Sequence, residues 1–101
     1  MKIYRNKKAM EELRLIFRTM SNPTRMAIIN FLNKKNIACF SDIRHEFNVN
    51  NNTAHYHLKK LITANLVKKN GKYSITDFGR KIATIFEDFD KEISKFNMVR
   101  K

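Results

Sequence analysis

Apolar residues recur at helical intervals along most of the chain. Over residues 9–20, Ala9, Met10, Leu13, Ile16, Phe17 and Met20 fall within about a third of a helical wheel, the i, i+3, i+4, i+7 spacing of a helix with one buried side. The pattern predicts a first helix that stops before Ser21-Asn22-Pro23. There Asn22 can accept a hydrogen bond from an orphan amide of a second helix, and Pro23 fits a first turn in which no N–H is required. That second helix is expected to run to about Lys34 and to bury Ile28, Ile29 and Leu32. Ile37-Ala38-Cys39-Phe40 then reads as a short strand, Ser41 as the cap of a brief helix turning Ile43 and Phe47 inward, and Asn48-Val49-Asn50 as a turn.

From Asn51 the helical spacing returns, with Ala54, Leu58, Leu61 and Ile62 on one side and Asn52, Tyr56, Lys59, Lys60 and Thr63 turned roughly opposite. The segment from Leu66 to Ile75 holds Asn70-Gly71 between two strand-like stretches, a strong local signal for a hairpin, and this one is tipped with lysines. Thr76 is placed to cap a last helix over residues 77–98, whose Phe78, Ile82, Ile85, Phe86, Phe89, Ile93 and Phe96 form a single stripe. At about 1.5 Å per residue that helix is about 30 Å long, so its stripe outruns the small core before it and needs a further cover. The expected fold is mainly α with a small β-hairpin, in one domain spanning residues 1–101, with residues 1–8 as a basic arm carrying Arg5, Lys7 and Lys8.

Composition narrows the function. The chain has 101 residues, 43% apolar and 30% charged, which suits one packed domain rather than disorder. Lys and Arg number 21 against 9 Asp and Glu, a formal charge of +12, and so strong a field on a small surface attracts polyanions. Apolar runs as short as Met26-Ala27-Ile28-Ile29 fall far short of the ~20 residues a membrane span requires. Ile3 and Tyr4 are followed at once by basic residues, unlike a signal peptide, and the single Cys39 cannot make an internal disulfide, so a cytoplasmic protein is expected. There is no phosphate-cradling Gly-rich loop and no zinc-hydrolase signature. Cys39 with His45 is the one nucleophile and base near each other in sequence, a chance pairing, so no enzyme is expected.

Residues 47–76 contain no acidic residue, and duplex binding needs cations for phosphates together with hydrogen-bonding groups on an element narrow enough for a groove. Asn51, Asn52 and Thr53 open the predicted 51–64 helix, where asparagine amides can pair with adenine N6 and N7 and a threonine methyl can touch thymine. His55, Tyr56, Lys59 and Lys60 follow on that helix, and Lys68, Lys69 and Lys72 lie on the hairpin. These ten residues form the candidate DNA-binding set. Plain capping is the alternative for Asn50 and Asn52, and a solvated loop is the alternative for the hairpin lysines.

Three spaced motifs carry a family resemblance: Ser21-Asn22-Pro23-Thr24-Arg25; Thr53-Ala54-His55-Tyr56-His57-Leu58-Lys59-Lys60-Leu61 with Ala64-Asn65-Leu66-Val67; and Tyr73-Ser74-Ile75-Thr76-Asp77-Phe78-Gly79-Arg80. Together, over roughly residues 10–90, they resemble the ArsR/SmtB-type winged helix-turn-helix regulators. The resemblance implies a homodimeric transcriptional repressor or regulator whose helices 9–20 and 77–98 pair through Leu13, Ile16, Phe17, Ile82, Ile85, Phe86, Phe89, Ile93 and Phe96. The competing account of that stripe is packing between the two helices within one chain. Two recognition helices about 34 Å apart would read a pseudo-palindromic site in successive major grooves. The family's metal sites are not matched, since its Cys-x-Cys pair stands here as Cys39-Phe40-Ser41, Asp88 and Asp90 have no neighbouring histidine, and His55 and His57 point about 200° apart on a helix. No metal and no cofactor are expected. Two rival functions are a non-specific or architectural DNA-binding protein and a winged-helix protein-interaction module.

Overall fold

The computed structural model describes the backbone of residues 6–100 and the side chains of residues 6–97. Over these residues the order is α1 (Lys7–Met20), α2 (Pro23–Lys35), β1 (Ile37–Ala38), α3 (Phe40–Phe47), α4 (Asn51–Thr63), β2 (Val67–Asn70), β3 (Lys72–Ile75) and α5 (Asp77–Arg100). The three strands form an antiparallel sheet in the order β1-β3-β2. With α3 and α4 as consecutive helices beside a β2–β3 wing, this is a winged helix-turn-helix.

Short polar side chains set most of the boundaries. Asn6, Asn22 and Asn50 each accept a hydrogen bond from the amide three residues on, at 2.8, 3.1 and 2.8 Å, and Thr76 Oγ1 does the same for Gly79 at 2.8 Å. Asparagine also ends or follows helices, with Asn36, Asn48 and Asn65 at φ of 72°, 49° and 62°, a region that its short side chain tolerates better than most. The Asn6 cap starts α1 at Lys7 rather than residue 9, so Lys7 and Lys8 belong to the helix and not to an arm; Arg5 lies outside the described residues.

The expected strand from Ile37 to Phe40 is corrected to two residues. Ile37 and Ala38 pair with Ser74 and Tyr73, after which Cys39 takes the N-cap position without a side-chain hydrogen bond and Phe40 opens α3, so Ser41 is not the cap. Phe40 gains contact by entering the helix, because its ring then stacks on His55 and approaches Tyr73. In the hairpin, the register runs from Val67 opposite Ile75 to Asn70 opposite Lys72. It is centred on Gly71, whose φ of 75° is the positive value that closes the turn.

The core joins Ile28, Ile29 and Leu32 of α2, Ile43 of α3, Leu58 and Leu61 of α4, Leu66 and Val67 before and in β2, and Tyr73 and Ile75 of β3. The start of α5 is fastened to it at three points. Thr76 donates its backbone N–H to Leu66 O at 3.0 Å. Gly79 sits so close to the chain that a Cβ there would come 2.2 Å from Leu66 O. The Arg80 guanidinium donates to the backbone oxygen and Oδ1 of Asn33, at 3.2 and 3.0 Å, and to Asn36 Oδ1, closing the C-terminal end of α2. Beyond this anchor α5 continues to Arg100, past the 96–98 expected from its stripe.

Candidate nucleic-acid interface

Helix α4 buries Ala54, His57, Leu58 and Leu61 and turns Asn51, Asn52, His55, Tyr56, Lys59 and Lys60 to solvent. Asn50 is the cap, as the alternative for that residue held, and this leaves the Asn51 and Asn52 side chains without a hydrogen bond among the described residues. Thr53 is half-buried and contributes its amide to the cap. Ile62 was expected inside and is instead 38% exposed. On the wheel His57 lies about 60° to one side of Ala54 and Ile62 about 80° to the other, and α2 packs on the His57 side.

What draws His57 inward is Arg25, near the start of α2. Both are only 8% exposed. Arg25 Nε donates to Thr19 O at 2.8 Å, and Nη1 lies 3.2 Å from His57 Nδ1. A guanidinium has donors only, so Nδ1 accepts and the ring proton sits on Nε2. Burial first, and the Arg25 charge second, hold the His57 pKa below its ordinary value, so the ring stays neutral and serves as a spacer between α2 and α4. The 21–25 and 53–61 motifs therefore meet through this bond.

The wing lysines are not equivalent. Lys69 shares a sheet face with Tyr73, directly opposite it in register, and its Nζ lies 5.5 Å from the ring centroid. Lys68 and Lys72 stand on the other face by the alternation of the strands. Tyr73 approaches Phe40 at 6.5 Å between centroids, and Phe40 stacks on His55 at 4.2 Å with planes 18° apart. An aromatic row thus links the exposed His55 of α4 to Lys69 of the wing. Sequence reasoning named both ends of this row and missed Phe40 and Tyr73, whose role has no sequence signal beyond their being aromatic near a predicted strand. On α4 itself, Lys60 Nζ lies 5.4 Å from the centroid of the exposed Tyr56 ring. Residues 47–76 contain no acidic residue, and the ion pairs among the described residues, Glu87–Lys91 and Glu92–Lys95, both lie on α5. Asp42 of α3 is the carboxylate that feels a wing lysine, its pKa lowered first by a hydrogen bond with Cys39 and in smaller part by Lys35 and Lys72.

A second surface is apolar. Phe17 of α1 meets Phe86 of α5 edge-on at 5.7 Å between centroids, and Ile16, Ile82 and Phe86 pack partly buried against the core. Leu13 is half-buried. The other members of the expected set, Phe17, Ile85, Phe89, Ile93 and Phe96, remain exposed, Phe89 at 54% and Phe96 at 68%. Phe17, Ile85, Phe86 and Phe89 line an open hollow of about 220 Å³. The stripe is therefore divided: Ile82 and Phe86 pack against the chain's own core, while Phe78, Ile85, Phe89, Ile93 and Phe96 face outward.

Among the described residues no group of three or more His, Cys, Asp and Glu stands close enough to hold a metal ion; Cys39 Sγ lies 3.2 Å from Ser41 Oγ. No helix is long and apolar enough among those residues to cross a membrane.

Comparison with solved structures returns transcriptional regulators. The transcriptional regulator homologue protein of Pyrococcus horikoshii OT3 superposes with a TM-score of 0.75 at 28% identity, over 84% of this chain and 95% of that one. A homodimeric winged helix-turn-helix DNA-binding domain from Mycobacterium bovis, a candidate ArsR-family transcriptional regulator, gives 0.71 at 22% identity, over 90% and 92%. Ligand-free NadR gives 0.66 at 21%, over 92% and 74%. No curated protein matches the sequence. Residues 14–86 match the model of DUF7347, a domain of unknown function, and the chain belongs to that family.

Proposed function

We propose that the protein is a sequence-specific duplex-DNA-binding transcriptional regulator of ArsR-like type, acting as a homodimer and as a repressor. One observation carries the reading: the outward face of α4 combines unpaired amides at Asn51 and Asn52 with Tyr56, Lys59 and Lys60, beside a lysine-bearing wing, in a stretch of sequence with no acidic residue. Amide groups are suited to adenine edges, the lysines to phosphates. On this reading α4 enters the major groove, Lys68, Lys69 and Lys72 grip the backbone or the minor groove, and His55 is held in place by Phe40. The solved relatives, transcriptional regulators and in one case a homodimeric DNA-binding domain, support it.

Dimerisation follows from the second surface. Exposed aromatic and aliphatic side chains contiguous along α5 and α1 are uncommon on a monomer and gain by mutual burial. Two copies joined there would present their α4 helices to one two-fold symmetric, pseudo-palindromic site. Regulation without a metal or cofactor is part of the same reading.

Selection of bound sequences from a random duplex pool tests it. Enrichment of a motif with two inverted half-sites, bound with a steep loss of affinity as salt rises, is the expected result. Retention of the pool with no enriched motif favours an architectural coating protein, and no retention at all near physiological salt favours a protein-interaction module.

A further inference from the structure

A cleft of about 410 Å³ opens between α1, the start of α2 and the outward side of α4. It lies on the side of α1 turned away from Phe17, since Leu15 is about 200° from Phe17 on the wheel, and so stays open if the apolar surface is paired. Four cations line it, Arg18, Arg25, Lys59 and Lys60, with Leu15 and Tyr56 as its apolar members and no acidic side chain.

Arg25 distinguishes this cleft from a merely basic surface. A cation that is only 8% exposed is ordinarily paired with a carboxylate, yet the ion pairs among the described residues are confined to α5. Its protein partners are neutral, the Thr19 carbonyl and the His57 ring. Nη2 has no hydrogen-bond partner among the described residues. No fully buried side-chain nitrogen or oxygen among the described residues lacks a partner, so Nη2 is not sealed from solvent, and Arg25 is one of the residues that line the cleft.

We propose that this cleft binds a small organic oxyanion, a carboxylate or a phosphate, whose charge meets Arg25 Nη2 and whose body lies against Leu15 and Tyr56, and that its occupancy opposes DNA binding. The volume suits a small molecule. A duplex phosphate reaches Lys59 and Lys60 at the surface but is tethered on both sides, whereas a free anion can descend to the recessed guanidinium. The coupling rests on the reading of α4 as the groove-entering helix, because Tyr56, Lys59 and Lys60 belong to both surfaces; a ligand that engages them there withdraws them from DNA.

The full chain is titrated with benzoate and, separately, with inorganic phosphate at constant ionic strength, followed by amide NMR shifts. Saturable shifts at Thr19, Arg25 and Tyr56 are expected, with benzoate binding more tightly than phosphate because it alone covers Leu15 and Tyr56. Arg25→Gln should weaken binding about tenfold or more. Arg18→Gln, at an exposed position, keeps the test intact if the buried variant fails to fold, and should weaken binding several-fold. Absence of saturation, shifts spread equally to Lys68 and Lys72, phosphate binding at least as tight as benzoate, or affinity indifferent to Arg18→Gln would overturn the site. In a second arm, benzoate at constant ionic strength should release the chain from a selected duplex, and saturable binding with unchanged DNA retention overturns the coupling. If no duplex is retained, the DNA-binding reading fails while the first arm still decides the site.

Discussion

The α4–wing region and the outer half of α5 are both exposed, and they are built in opposite ways. Residues 47–76 carry five lysines and no acid; Lys60 and Lys69 lie over aromatic rings, and none of the five is in an ion pair among the described residues. Residues 77–101 set Asp77, Glu87, Asp88, Asp90 and Glu92 against six basic residues, place two exposed ion pairs along α5 and leave large aromatic side chains uncovered. An uncompensated cationic surface is repelled by its own copy and attracted by a polyanion. A charge-balanced surface with an apolar stripe suits its own copy, since pairing it buries hydrocarbon without stacking like charges. The difference suits the two regions to different kinds of partner.

The largest expected effect separates the two regions outright. Replacing both Phe89 and Ile93 by Glu should raise the dimer dissociation constant about a thousandfold or more, ~4 kcal/mol of interface energy, while far-UV circular dichroism stays that of the parent. Sedimentation that still gives the parental mass would remove α5 from the interface. Next comes the joint between the regions. Gly79→Ala forces a methyl group toward the Leu66 carbonyl, and chemical denaturation should show a loss of about 3 kcal/mol; an unchanged midpoint would mean that α5 is not seated there.

Within the α4–wing region, Asn52→Ala should cost about 2 kcal/mol on the selected duplex and much less on a scrambled one. Lys69→Ala should cost about 1 kcal/mol on both and make the salt slope shallower by about 0.9. Equal losses across sequences for Asn52→Ala would exclude it from base contact. The smallest effect concerns the His57 spacer. Its folded pKa lies below the ordinary value of 6.5, so the unfolded chain takes up the proton first. The stabilisation is complete above about pH 6.5 and is lost as pH falls through the folded value. Denaturation between pH 7.5 and 5 should show this decline, and His57→Asn should flatten it.

Much of this was legible along the chain. The Asn22, Asn50 and Thr76 caps, the hairpin around Gly71, and the inward faces of α2 and α4 follow from local rules, because a cap or a turn needs only atoms a few residues apart. The misplaced details share a cause. Ile62, the misplaced residue of α4, sits at the edge of the apolar arc opposite His57, and hydrophobicity alone favours its burial. Burial of His57 requires Arg25, 32 residues away in sequence. Phe40 reads as strand by its neighbours and becomes helical because His55 and Tyr73 await its ring.

The order of elements, the charge contrast between the two halves, and the identity of the exposed lysines and amides were determined by sequence alone, since periodicity, capping and net charge are local or additive properties. The tertiary structure decided which turns of the α5 stripe are consumed by the chain's own core, which edge of α4 is buried, and that Arg25 lies recessed in a cleft without a carboxylate. Each of these depends on the meeting of residues distant in sequence, and a one-dimensional pattern carries no record of which of several apolar or charged neighbours will come into contact.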